Sequence, residues 1–330
     1  MSGIRGNVAW FAAQQQSAKG TVATYAAAKA VKNAFAGGNI GPTRETDNLS
    51  ETDSSRDRGV TFVKSGAIEG SPELYVRDTT IAFWLKMALG ACASSGTTNY
   101  THSITPANNL PYFTAAKNLG DTLYETYKDC KVDSLSIKAE AGMPLSATVG
   151  IKGCGDGVAA TRTAAAWDNS SPIAVDSGLV YNYNLGTVTL GGSATAMVRS
   201  FELNINNNVV VQQTDSVVPL DVYEGTREVS LSFDLIFDTL DEYNKFHYGG
   251  AAGTIVSPNV FTTSAIFDFA GSSVNNNINF SLPSIAYTEF PIEPSPGGDA
   301  VVASVAAAAQ RSGSPVLTAT VLNQRDTYVA

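Results

Sequence analysis

Only two histidines, His102 and His247, occur in 330 residues, so a hydrolytic triad or a multi-histidine metal centre has almost no material. An enzyme built on this chain would have to work with carboxylates alone. The acidic positions Asp53, Asp57, Asp121, Glu125 and Asp129 do not fall at the spacing of a calcium-binding loop, and they read as solvated or interface charge. Cys92, Cys130 and Cys154 are an odd set without C-x-x-C spacing, which suggests neither a zinc site nor a disulfide framework. The glycines of Gly153-Cys154-Gly155-Asp156-Gly157 lack the lysine and the strand–turn–helix setting of a phosphate loop, and predict a turn after a hairpin. His102 lies in a strand-like stretch and His247 near the end of a helical one; both read as structural contacts. The residues thus predict no catalytic group, no cofactor and no metal ligand.

The composition points towards assembly. Charged residues make up 15% of the chain, against roughly 25% in ordinary globular domains, while Ala, Ser, Thr, Asn and Gly fill the gap. Surfaces of that kind pack against one another at low desolvation cost. A net charge of −9 and the lack of any basic run argue against a chain that grips phosphate. They suit a wall past which DNA slides without sticking. The segment Ile81–Ala93 carries Lys86 and is too short to span a bilayer, and the N-terminal stretch from Val8 to Ala13 is too short for a signal-peptide core, which predicts a protein made in a cytosol.

The elements that must carry this surface are mainly strands. Leu135, Ile137 and Ala139 alternate with polar residues, and the pattern resumes after Gly142 and Pro144 with Leu145, Ala147, Val149 and Ile151, predicting a hairpin. A second pair runs through Phe201, Leu203 and Ile205, then Val229, Leu231, Phe233, Leu235 and Phe237. Helical spacing occurs at Ile81, Trp84, Leu85, Ala88 and Leu89, and again at Leu240, Tyr243 and Phe246. Asp78-Thr79 and Asp238-Thr239 precede these helices as candidate N-caps, and Thr239 with Glu242 has capping-box spacing. The Ala-rich run Thr24–Ala36 has helix propensity. The polar segment Gly37–Gly59 reads as an exposed loop.

The order of these signals repeats. Ile68-Glu69-Gly70, Asp78-Thr79, a helix, Phe113-Thr114 and Val132-Asp133-Ser134-Leu135 are followed by Tyr223-Glu224-Gly225, Asp238-Thr239, a helix, Phe261-Thr262 and Leu282-Pro283-Ser284-Ile285. That predicts a duplication, with one β-domain over 1–155, a connector over 156–178 and a second β-domain over 179–330.

Several stretches resemble the tail tube proteins, or major tail proteins, of long-tailed non-contractile bacteriophages, especially those infecting actinobacteria. The resemblance is carried by Glu51-Thr52-Asp53 with Arg56-Asp57, by Ile68 to Val76, by Ala88-Leu89-Gly90, and by Leu110-Pro111-Tyr112-Phe113-Thr114 and Asp129 to Leu135. It covers most of residues 40–155 and, more faintly, 198–250. It implies a mainly β fold: a duplicated β-barrel or β-sandwich, each copy with one short flanking α-helix, whose strands join those of neighbours around a lumen. It further implies rings stacked into a tube within the virion, the protein being made in the host bacterial cytoplasm. The partners implied are other copies of the chain, the tape measure protein, and tail-tip and terminator proteins, with no membrane. DNA passes through without specific binding.

The resemblance also implies six β-domains per ring, which makes a trimer with pseudo-sixfold symmetry the expected form of a duplicated chain, ahead of a hexamer. Arg44, Glu45, Asp47, Glu51, Asp53, Arg56, Asp57 and Arg58 are the expected contacts between stacked rings, and the lumen is expected to be net negative. The alternatives are another virion component, such as a capsid decoration or tail terminator subunit, or a polysaccharide-binding β-protein. For the last, Trp10, Trp84 and Trp167 are widely separated and give no groove signal.

Overall fold

The computed structural model describes residues 9–23, 25–26, 28–51, 57–119, 123–156, 176–195, 198–271, 273, 275–293, 300–326 and 328. Alternating apolar residues become strands, as a pleated backbone that buries one face requires. The first half runs β1 (Trp10–Gln15), β2 (Val31–Ala34), β3 (Ile40–Asn48), β4 (Thr61–Gly70), β5 (Glu73–Tyr75), α1 (Ile81–Leu89), β6 (Gly90–Gly96), β7 (Tyr100–Pro106), β8 (Phe113–Leu119), β9 (Leu123–Glu140) and β10 (Ser146–Asp156). The second runs β11 (Gly186–Leu190), β12 (Ser193–Thr195), β13 (Val198–Asn206), β14 (Val210–Gln212), β15 (Asp221–Tyr223), β16 (Glu228–Ile236), α2 (Asp241–Tyr248), β17 (Thr262–Ala270), β18 (Asn277–Glu289), β19 (Ile292–Glu293), β20 (Val302–Ala309) and β21 (Thr318–Asn323). The protein is mainly β, and its named strands pair antiparallel.

Both halves order their strands alike. Neighbours in the first are β5, β10, β9, β8, β1 and β2. In the second they are β16, β20, β18, β17, β11 and β12. The halves join where the end of β9 pairs with β13, Leu203 opposite Ile137 and Ile205 opposite Leu135, and where β21 pairs with β7.

Both predicted pairs form, with Leu135 opposite Val149, Ile137 opposite Ala147, and Phe201, Leu203 and Ile205 opposite Phe233, Leu231 and Val229. Their apolar faces share one core, in which the Phe201 ring lies 4.7 Å from Phe267 and 5.2 Å from Phe269. Burying each such ring contributes roughly 1.5–3 kcal/mol.

The two helices lie where their spacing predicts but differ in setting. All nine residues of α1 are buried, with Trp84 stacked on Phe11 at 5.4 Å, whereas α2 has no fully buried residue and packs Tyr243 and Phe246 against Phe290. In α2, Asp241 and Glu242 in the first turn and Lys245 and His247 in the last complement the helix dipole. Gly249 closes the helix with φ +75°, a conformation that favours glycine.

Several expectations are corrected. The Ala-rich run is not helical at Val31–Ala34, which forms β2, because cross-strand pairing with β1 outweighs a small propensity. Part of Gly37–Gly59 is no loop: Ile40–Asn48 forms β3 and pairs with β4, from Ile40 opposite Gly70 outwards to Asn48 opposite Thr61. The N-cap positions are Thr80 and Leu240, neither making a side-chain cap bond. Asp78 instead turns inward to accept from Asn276 Nδ2 at 2.5 Å, and Glu242 accepts from Tyr287 Oη at 2.8 Å, so no capping box forms. Gly153 to Asp156 of the glycine cluster continue β10 rather than turning, and Gly157 lies outside the described residues. A Cβ on Gly153 would meet Cys130 Sγ at 2.8 Å, so glycine allows the close approach of β9 and β10. Of the expected connector, residues 157–175 lie outside the described residues.

Candidate functional site

One solvent-facing wall runs across both halves. Where β5, β10, β9, β13, β16 and β20 lie side by side, the positions between their buried residues are Tyr75, Ser146, Thr148, Ser136, Lys138, Ser200, Glu202, Ser232, Asp234 and Ser304. All of these but Ser136 line an open groove of about 810 Å³. Strand alternation puts them there, since each neighbour in sequence is committed to the core.

Charge on this wall is one-sided. Glu73, Glu140, Glu202 and Asp234 line the groove against Lys138 alone, four carboxylates to one ammonium. Asp234 accepts from Ser200 Oγ and Ser304 Oγ, each at 2.8 Å. Glu202 accepts from Ser136 Oγ at 2.8 Å and pairs with Lys138 at 3.3 Å. Hydroxyl donors fix a carboxylate's position without cancelling its charge, so the wall stays acidic and orderly at once. The sequence motif search missed these four carboxylates. Their only signal is that they alternate with the buried residues of their strands, and the residues opposite them lie 22 or more positions away in the chain.

The second surface is an arm. Beyond Pro42 on β3 and before Ser65 on β4, nearly every described residue of the hairpin is exposed, including Val60 at 72%, Phe62 at 43% and Leu49 at 45%. Arg44, Glu45 and Asp47 lie along β3, and Glu51, Asp57 and Arg58 are exposed near the tip; Asp53 and Arg56 lie outside the described residues. Hydrogen bonds from Lys64 at 3.1 Å and Ser65 at 3.0 Å hold the Glu45 carboxyl below its usual range. That pair sits in open solvent, where ion pairs contribute little. A two-stranded hairpin exposed on both faces is marginal by itself in water.

The remaining chemistry-bearing residues hold the fold together. Lys131 of β9 pairs with Glu224 at 2.8 Å and stands 4.2 Å over the Tyr112 ring, while Glu224 also accepts from the Leu110 amide at 2.7 Å. Burial pushes the Glu224 carboxyl up, but these hydrogen bonds outweigh it and hold the group below its usual range. Lys131→Met should lower stability by about 3 kcal/mol, because it strands a half-buried carboxylate between the halves. Urea unfolding of the two proteins measures the difference, and a loss below about 0.5 kcal/mol would show the pair to be ornamental.

His102 is fully buried, with Ser94 Oγ at 2.7 Å from Nδ1, and Asn323 Oδ1 and the Arg325 carbonyl at 3.0 and 2.9 Å from Nε2. Burial depresses its pKa; Arg325 pushes the same way, and Asp326 and the hydrogen bonds oppose. Above pH 6.5 both folded and unfolded states are neutral there. Below it the unfolded state takes up the proton first, so stability falls with pH, by up to about 1.4 kcal/mol per pH unit. His102→Gln should flatten that slope in melts between pH 7.5 and 5; an unchanged slope would assign the acid sensitivity elsewhere.

Glu125 pairs with Lys117 at 3.0 Å, and Asp129 accepts from Gln16 Nε2 and the Gly20 amide. Cys130 and Cys154 are buried and Cys92 is partly so, all as free thiols, while Asp121 lies outside the described residues. Among the described residues no group of His, Cys, Asp and Glu is arranged to hold a metal ion, and no helix is long and apolar enough to cross a membrane.

Fold and surfaces together describe a mainly β structural subunit whose polar groups serve position rather than chemistry. The sequence family described as phage tail tube protein matches residues 11–309, and the chain belongs to that family. It is therefore a structural component of the phage tail, part of the virion, and not an enzyme. A search of curated proteins gives no match.

Proposed function

We propose that the chain forms rings of three copies that stack into a hollow tube, with the polar wall lining the lumen through which DNA enters the host. The observation that carries this is the wall itself: small hydroxyl side chains with four carboxylates, two of them held by serine hydroxyls, and one lysine, continuous across both halves. Such a surface repels phosphate and offers it no cationic hold, so a duplex slides instead of binding. The matching strand order supports reading the halves as two copies of one β-domain, and hence pseudo-sixfold symmetry in a trimer.

On this reading the β3–β4 arm reaches the adjacent ring. Its partner there supplies the buried face that a lone hairpin lacks. The tape measure protein and the tail-tip and terminator proteins are the further partners on this reading.

Negative-stain electron microscopy of the purified chain at rising concentration tests the proposal. Hollow tubes or stacked rings are expected. Closed oligomers without a lumen would instead favour a decoration or terminator role.

A further inference from the structure

We infer that the chain carries a calcium site where its two halves are tied together, formed by the carboxylates of Asp78 and Asp176 with the Thr79 hydroxyl. Asp78 and Thr79 stand just before α1, and Asp176 leads the chain into the second half. The two segments are joined directly: the Asp78 amide donates to the Leu179 carbonyl at 3.2 Å, and Arg77 Nη1 to the Gly178 carbonyl at 2.5 Å. A Cβ on Gly178 would run into Asp78 Oδ1 and stand 2.8 Å from Asp176 Oδ1 and 3.1 Å from Thr79 Oγ1. Three oxygens thus converge beside a space that only glycine leaves open.

These oxygens lack the partners that burial demands. Asp78 is 8% exposed; Asn276 occupies its Oδ2, but its Oδ1 has no hydrogen-bond partner among the described residues. Asp176 accepts from the Gly178 amide at 2.7 Å through Oδ1, while its buried Oδ2 has no partner among them either. Tyr181, 1% exposed, ends in a hydroxyl in the same condition, and Asp78 adds to the burial that pushes its pKa up. Burial, and after it Asp176, pushes the Asp78 carboxyl above its usual range, against the backbone amides of Thr79 and Asp78 and the Asn276 side chain. Buried oxygens left so are costly unless something positive meets them.

The neighbouring side chains do not supply it. Arg325 feels the Asp176 charge, but its guanidinium donates to the carbonyls of Thr79, Ala28 and Ala30 at 3.3, 2.8 and 2.9 Å, and Asp326 offsets part of its charge. Arg77 is spent on Gly178. Among the described residues no histidine, cysteine or further carboxylate joins the pair, so the site offers oxygen alone. Calcium takes carboxylates, hydroxyls and water in irregular arrangements, which suits such a set. Two carboxylates with Arg325 nearby place the Kd at about 10⁻⁴–10⁻³ M, the range of extracellular modules. Bound calcium fastens the entry of the second half to the start of α1. Through Asn276, and through Asn323, which donates to the Asp78 carbonyl at 2.7 Å, it also steadies β18 and β21. The inference stands apart from the tube reading and concerns the single chain.

Terbium(III), which occupies calcium sites and luminesces when a nearby tyrosine absorbs, is the first probe. The full chain should show one saturable site, sensitised by Tyr181 and by Tyr328, whose hydroxyl donates to the Thr79 carbonyl at 2.9 Å, and calcium should displace it. Asp176→Asn keeps an acceptor for the Gly178 amide and should lose the signal, whereas Asp241→Asn at the exposed start of α2 should keep it.

Thermal melts give a second readout. Calcium at about a hundredfold above its Kd should raise the Tm of the natural chain by roughly 4 °C relative to chelator, and leave Asp176→Asn unmoved. A terbium signal indifferent to Asp176→Asn, or a calcium response equal in both proteins, overturns the site and assigns the binding to scattered surface charge. A natural chain whose Tm ignores calcium, with Asp176→Asn more stable in every condition, overturns it as well and gives the space to water or a shared proton.

Discussion

Replacing residues 47–62 with Asn-Gly should leave rings intact and abolish tubes. Thr46 and Val63 oppose each other on β3 and β4, so a two-residue turn can close the shortened hairpin without disturbing its base. Little folding energy is removed, because no described residue of the deleted part belongs to the hydrophobic core; monomer stability should change by no more than about 0.5 kcal/mol. What is lost is reach and apolar surface. Strands rise roughly 3.3 Å per residue, so the arm extends on the order of 20–30 Å, and its exposed Val60 and Phe62 have nothing to cover them in one chain. The concentration needed for tube growth should rise at least about a hundredfold, equivalent to roughly 2.7 kcal/mol, with rings still visible. Phe62→Ser should go part of the way, while Glu45→Gln, which breaks only a solvated pair, should do almost nothing. Tubes of normal length from the shortened chain would remove the arm from the account.

Reversing charge on the wall should turn a conduit into a trap. Glu140→Lys, Glu202→Lys and Asp234→Lys together change the groove from four carboxylates and one lysine to one carboxylate and four lysines, a net change from −3 to +3. Tubes of the variant should retain a short DNA duplex at low salt where tubes of the natural chain retain none. Three cations per chain repeated around a ring give on the order of nine phosphate contacts, and affinity should drop by about 10³–10⁵ between 50 and 200 mM salt. Asp234→Asn removes the charge without reversing it, keeping an oxygen acceptor for one of Ser200 and Ser304 and turning an amide N–H towards the other hydroxyl, and should not retain DNA. Variant tubes indifferent to DNA at low salt would place the wall elsewhere than the lumen.

What could be read in the sequence follows from where the apolar residues sit. The strands of Leu135–Ala139, Leu145–Ile151, Phe201–Ile205 and Val229–Leu235 bury every second side chain, so strand and partner were legible there, while the register came only from the structure. The helix at Ile81 was legible by its spacing, though not its complete burial, which is imposed by residues as distant as Phe11 and Tyr328. The arm was misread as a loop because both its faces meet solvent; with no core side, no alternation is imposed, and Arg, Glu, Asp and Thr in β3 look like turn composition. The caps failed for a tertiary reason, Asp78 being drawn inward by Asn276.

Least legible was the wall. Ser136, Glu202, Asp234 and Ser304 are each an ordinary solvent-facing position in an alternating strand. Only pairing between β9, β13, β16 and β20 makes them one surface, and pairing over such distances leaves no local mark.

Cryo-electron microscopy of assembled tubes, carried to a reconstruction in which strands resolve, tests the central claim most directly. The account predicts three chains per ring, with Ser200, Glu202 and Asp234 facing the axis. A tube in which that face points outwards, or is buried between rings, would contradict it.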